Sequence, residues 1–328
     1  MKKIVIIIFI FIFSFELYLR IKSPVIHKAD EELGWILKSN LNLNIKQKNF
    51  MGHEYDVEFL TNQNSSRFYG DIKNANLKIL VLGDSFTNMP YASNDKMWFS
   101  IFADKIENQT KKNIYIETLG AGGYGNFQQL LLLERYYKDI DPDLIIIQMC
   151  NNDFVDNTIE WQIKNYNRNQ YTRRPHLREN KKYYYEGVLS MFYNSVFFEN
   201  IRILNRIDLF ITVFQNKLNY IINKKSSTDV DMEIKKNSVI ITNKIFEKIT
   251  NILKDKKVFI FNCSDDANYP FNQWEKIALK NKMIPINVFE SFKYSDDVFY
   301  KDGGHFNEIG NKQVGEILAE KISRIHNF

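Results

Sequence analysis

Two stretches carry residue types that could act together on an acyl group. The first is Gly83-Asp84-Ser85, which follows the apolar run Leu77–Leu82. A short apolar run ended by glycine reads as a central parallel strand. Ligands of open α/β sheets bind just beyond the carboxyl ends of such strands, which makes Ser85 a candidate nucleophile. The same three residues also read as an ordinary strand-ending turn. A serine nucleophile needs a base, a group that orients the base, and donors for the developing oxyanion. Of the five histidines, His27 stands beside an apolar N-terminal segment, His53 in an extension, His176 in a basic stretch and His326 at the C-terminus. Only His305 lies in a compact polar loop, Tyr300-Lys301-Asp302-Gly303-Gly304-His305-Phe306-Asn307. Two glycines between Asp302 and His305 let the backbone fold tightly and bring both side chains to one place. The loop also reads as a glycine turn before a helix capped by Asn307, and the pattern alone leaves both readings open.

The elements that must position these residues alternate in type. After the strand Leu77–Leu82 come a helix near Lys96–Gln109, a strand Asn113–Thr118, a glycine-rich loop Leu119–Gly125 and a helix Asn126–Tyr137 with Asn126 as its cap. Strands follow at Leu144–Met149, Lys257–Asn262 and Ile284–Phe289, and a helix at Glu308–Ile322. Alternating strands and helices predict a flavodoxin-like, three-layer α/β/α fold with five parallel strands in the order 2-1-3-4-5. An insertion at about 154–256 separates the third and fourth strands. Its first part is basic and aromatic, with Arg173, Arg174, His176, Arg178, Lys181 and Lys182, and resembles a hairpin turning at Glu179-Asn180. Its second part predicts helices over Val188–Ile222 and Asp231–Leu253. Leaving from a strand's carboxyl end, the insertion is expected to cap the site, with the basic run as a solvated face.

The 328-residue chain divides into an apolar segment (1–22), a strand-containing extension (23–75) and the α/β domain (76–328). The extension predicts strands at Leu33–Leu37 and Tyr55–Leu60, placed against the domain edge for packing and not chemistry. Met1-Lys2-Lys3 followed by Ile4–Phe15 has the layout of a secretory signal, and no small-residue cleavage site precedes Asp30. An uncleaved signal anchor is the favoured reading, ahead of a cleaved signal peptide and of a buried helix. The run is short for a bilayer crossing, Glu16 interrupts it, and Arg20, Lys22 and Lys28 weaken the positive-inside signal. A formal net charge of +5 spread over many lysines gives nucleic-acid binding no support. Cys150 and Cys263 exclude a disulfide-rich scaffold or a four-cysteine zinc site. Two buried thiols are the favoured state, with a disulfide as the alternative if the domain is exported.

Gly83-Asp84-Ser85-Phe86, the glycine loop after the second strand, Asn152-Asp153 after the third and Asp302-x-x-His305 near the C-terminus stand in order along the chain. Together they resemble the SGNH hydrolase (GDSL-type esterase) superfamily over Leu77–Ile325. The resemblance implies Ser85 as nucleophile, His305 as base and Asp302 as the acid that orients it. It implies an oxyanion hole from the backbone N–H groups of Ser85 and Gly123, with Gly122 the alternative register, and from the Asn152 side chain. No cofactor or metal is implied. Phe86, Cys150 and Thr118 depart from the residues usual at their positions without removing a reacting group. The implied activity is hydrolysis of an acyl ester, with acetyl expected, on a carbohydrate or lipid, by a membrane-anchored protein whose catalytic domain lies outside the cytoplasm. An O-acyltransferase acting on cell-envelope or exopolysaccharide sugars would use the same site. A catalytically silent glycan-binding module is the alternative of another class.

Overall fold

The computed structural model describes residues 2–22, 26–48, 53–89, 91–164, 174–185, 203, 231–254, 256–292, 298–300, 304–326 and 328. The extension forms two antiparallel pairs, β1 (His27–Asp30) with β2 (Gly34–Leu37) and β3 (Asn42–Lys48) with β4 (Glu54–Leu60). A short strand β5 (Arg67–Tyr69) follows, then β6 (Leu77–Gly83), β7 (Ile114–Gly120) and β8 (Leu144–Met149). Beyond the hairpin β9 (Arg174–Arg178) and β10 (Lys181–Tyr185), the sheet continues with β11 (Lys257–Asn262) and β12 (Ile284–Ile286).

The main sheet is ordered β12-β11-β8-β6-β7-β5. Its five parallel strands therefore run 2-1-3-4-5, as expected. The sixth strand was not expected: β5 pairs antiparallel with β7, Arg67 opposite Thr118 and Tyr69 opposite Ile116. Three residues with an arginine among them carry no strand signal, but a buried Arg67 holds them in place. Its guanidinium donates to Asn94 Oδ1 at 2.9 Å, Met89 O at 2.6 Å and Ala92 O at 2.7 Å. The extension thus contributes to the sheet and also fixes the chain just beyond Ser85.

Helices cover both faces. On one side lie α2 (Trp98–Thr110) and α8 (Glu308–Ile325), packed on Ile79, Val81, Ile116 and Phe259. On the other lie α3 (Asn126–Ile140) and α6 (Met232–Leu253), packed on Leu80, Leu82, Ile145 and Ile147. Residues pointing alternately to the two faces of each strand account for the two cores. Gly125, not Asn126, caps α3, because the Asn126 side chain is buried and accepts a bond from Asn157 Nδ2 at 2.9 Å. Helix α6 follows the expected span, with Asp231 as its cap. It bridges β8 to β11 as a layer helix, burying Ile245, Phe246, Ile249 and Leu253. The short α4 (Asn151–Asp156), α5 (Ile159–Lys164) and α7 (Trp274–Lys280) complete the domain. The helix expected over 188–222 falls, except for Ile203, outside the described residues.

The hairpin β9–β10 turns at Glu179 and Asn180, whose φ values are +50° and +61°. Two successive left-handed residues make the tight turn that matches strand twist. At the N-terminus, α1 (Lys2–Lys22) is one continuous helix whose apolar side chains, apart from Leu19, are largely exposed, and it is long and apolar enough to cross a membrane. Glutamate is compatible with helix, and the Glu16 carboxylate pairs with Arg20 at 2.8 Å one turn on.

Candidate active site

The end of β6 is tightly built. A Cβ on Gly83 would lie 2.2 Å from Thr87 Oγ1, so only glycine fits between the strand and the turn that follows. Asp84 is fully buried and accepts from Phe86 N at 2.9 Å, Gln148 Nε2 at 2.7 Å and Asn152 Nδ2 at 3.2 Å. Burial pushes its carboxyl above the ordinary range, while these donors and the charge of His305 pull the other way. Ser85 stands half-exposed next to it at the head of the cleft. Sequence reading gave Gln148 no role, yet it is the hub under Asp84, its Oε1 in turn accepting from Thr87 Oγ1.

The glycine loop lies against the serine. A Cβ on Gly122 would sit 3.8 Å from Ser85 Cβ. Gly123 has φ +80° and lines the cleft. Two residues outside the expected site hold this loop from behind. Trp35 Nε1 donates to Gly122 O at 3.2 Å, and Arg174 Nη2 donates to Gly123 O at 2.6 Å. Tyr124 Oη donates back to the Trp35 carbonyl. The extension therefore reaches the site, and Arg174 is not on a solvated face. Residues Arg174–Leu177 are all buried, because the hairpin packs beside α3 and the loop. His176 is buried with them, and its imidazole is pushed down to about 3 by burial and by the neighbouring Arg174 charge.

Asn152 comes from the first turn of α4. Both donors of its amide meet carboxylates, Asp84 Oδ2 at 3.2 Å and Asp156 Oδ2 at 2.9 Å. Asp156 Oδ1 faces Arg174 Nη1 at 3.3 Å, and both of these side chains are 2% exposed. Asp153 is buried beneath them. Burial, with the charge of Asp84, raises its carboxyl well above the ordinary range.

His305 is brought in by an isolated bridge between Phe299 and Phe306 and by the bond from Tyr300 N to His305 O at 2.8 Å. His305 lines the cleft, while Asn307 caps α8 by accepting from Gly310 N at 2.9 Å. The imidazole packs on Phe86, ring centroids 4.9 Å apart, and Phe86 packs edge-on to Phe306. Asp302 lies outside the described residues.

Ser85, Gly123, Asn152 and His305 line one cleft of about 790 Å³. Phe86, Phe289 and Phe299 also line it, as do Asp156, Ser264, Asp265 and Asp266. Cys263 also lines it and forms a disulfide with Cys150, Cα atoms 5.1 Å apart. The expectation of two thiols is corrected by register. Met149 pairs with Asn262 across β8 and β11, so the next residue of each strand stands side by side at a spacing that suits a disulfide.

A three-layer α/β sheet with a serine, an asparagine and a histidine gathered at its carboxyl end defines the class of SGNH-type ester hydrolases. The model of the GDSL-like lipase/acylhydrolase family matches residues 79–318, and the chain belongs to that family. No curated protein matches the chain. Among solved structures, TesA is similar at 10% identity and a TM-score of 0.44, covering 76% of this chain and 99% of its own. A lipase/acylhydrolase from Enterococcus faecalis (12% identity, TM-score 0.44) covers 76% of this chain and 96% of its own. A Clostridium thermocellum family 3 carbohydrate esterase (11% identity, TM-score 0.40) covers the same shares, 76% and 96%.

Proposed function

We propose that the protein removes a small acyl group, acetyl in the simplest case, from a carbohydrate or lipid ester through an acyl-Ser85 intermediate. The observation that carries this reading is the single cleft shared by Ser85, Gly123, Asn152 and His305. His305 takes the Ser85 hydroxyl proton as Oγ attacks the acyl carbon, and Asp302 orients and stabilises the imidazolium. The backbone N–H groups of Ser85 and Gly123 and the amide of Asn152 bind the oxyanion. Asn152 reaches it by giving up the longer of its two carboxylate bonds, the 3.2 Å contact to Asp84. His305 then protonates the departing alcohol, and a water activated by the same imidazole releases the acid. Each oxyanion donor contributes roughly 3 kcal/mol to lowering the barrier in sites of this kind.

The acidic and hydroxyl-bearing wall of Ser264, Asp265 and Asp266 favours an alcohol rich in hydroxyl groups. Helix α1 as a membrane anchor, together with the Cys150–Cys263 disulfide, supports a domain working outside the cytoplasm, where disulfides persist.

Hydrolysis of a short-chain aryl ester, with and without oligosaccharide acceptors, tests this reading against Ser85→Ala. Free acid released by the wild type and lost in the variant is the expected result. Acylated sugar with little free acid would make the protein an O-acyltransferase. No Ser85-dependent reaction with any ester would leave a silent glycan-binding module.

A further inference from the structure

Two side chains outside the four motif blocks close on the oxyanion loop from different chain segments. Trp35 belongs to the extension, ahead of the family-matched region, and Arg174 to the inserted hairpin. The peptide unit between Gly122 and Gly123 carries the Gly123 N–H at one end and the Gly122 carbonyl at the other. In a trans peptide these two groups point in opposite directions, so the Trp35 Nε1 bond to Gly122 O at 3.2 Å sets the direction of the N–H. The next unit is held by Arg174 Nη2 on Gly123 O at 2.6 Å. The same guanidinium faces Asp156 at 3.3 Å, and Asp156 accepts from Asn152 Nδ2 at 2.9 Å. One buried cation thus reaches both the backbone donor and the side-chain donor. Arg174 also stacks on Trp35, its guanidinium carbon 5.1 Å from the ring centre. Lys182 of the hairpin pairs with Glu32 of the extension, and Arg135 of α3 pairs with Glu32 at 3.0 Å, so the two segments are fastened together at the surface.

We propose that Trp35 and Arg174 are positioning residues that aim the Gly123 and Asn152 donors, so that the extension and the insertion complete the oxyanion hole. This rests on the assignment of those donors in the proposed hydrolysis. Wild-type, Ser85-dependent turnover of an aryl acetate must therefore be measured first. Its absence overturns the functional reading and this proposal together.

Given that activity, Arg174→Ala is expected to lose roughly 10- to 100-fold in kcat with KM little changed, since aim and not ground-state contact is lost. Added guanidinium ion at millimolar levels should restore part of kcat in Arg174→Ala and none in Ser85→Ala. Arg174→Lys keeps the charge but cannot meet Gly123 O and Asp156 together, and should remain several-fold below wild type. Removing one partner of a buried ion pair can unfold a protein, so Trp35→Phe is the companion variant. It keeps an aromatic ring but removes the N–H together with the five-membered part of the indole, and should lose roughly 3- to 10-fold in kcat with only a small fall in Tm. Trp35→Phe with wild-type kcat and KM, together with a folded Arg174→Lys at wild-type kcat, would overturn the proposal.

Discussion

The two halves of the cleft are held by different physics. The glycine-loop half is fixed by directional contacts: Trp35 on Gly122, Arg174 on Gly123 and Asp156, and Asp156 and Asp84 on Asn152. Around the histidine, aromatic packing stands out among the described contacts: Phe86 lies on the imidazole, and Phe306 packs on both Phe86 and Phe299. The difference follows from what each half has to do. Backbone donors act only at a fixed angle to the oxyanion, so they gain from hydrogen bonds that set direction. An imidazole that passes a proton from serine to leaving group must change partners, and contact with the Phe86 ring limits how far it can move while it does so.

The comparison can be broken most severely on the histidine side. His305→Ala should lose about 1,000-fold or more in kcat on an aryl ester, as much as Ser85→Ala. Near-normal turnover would remove His305 as the base. A finer cut is Phe86→Ala, which leaves the imidazole and takes away the ring beside it. It should lose about 10-fold in kcat, with Phe86→Leu recovering most of that. Were Phe86→Leu as damaged as Phe86→Ala, packing would not be what holds His305.

The smallest effect concerns stability under the directional half. Asp153 binds a proton more readily folded than unfolded, because burial and Asp84 raise its folded value. Its contribution is therefore full below the unfolded value of about 3.9 and is lost as pH rises through the folded one. Asp153→Asn should melt with the wild type near pH 4 and on the order of 2–4 °C higher at neutral pH. A Tm difference independent of pH would show that Asp153 does not titrate in this way.

Much of this was legible in the residues. Runs such as Leu144–Met149 and Lys257–Asn262 are apolar because parallel strands are covered on both faces, and they gave the sheet and its order. Glu179-Asn180 announced its hairpin. Ser85, Gly123, Asn152 and His305 were singled out by motif, and the fold brings them to one cleft. What stayed hidden is tertiary. A basic run reads as solvated unless something buries it, and nothing local says that Asp156 and the Gly123 carbonyl do so for Arg174. Trp35 looks like one half-buried aromatic in a small hairpin until the loop it touches is known. The disulfide depends on a register that only the paired strands define.

Strand β5 has a consequence for how the chain can be cut. It covers Ile116–Thr118 on β7, the last parallel strand on that side of the sheet. A fragment started just before Leu77, where resemblance to the family begins, would leave that backbone with an open row of N–H and C=O groups. Such an edge recruits strands from neighbouring molecules. With Arg67–Tyr69 as its outer strand, the sheet ends on this side in a three-residue edge, and short edges disfavour edge-to-edge association.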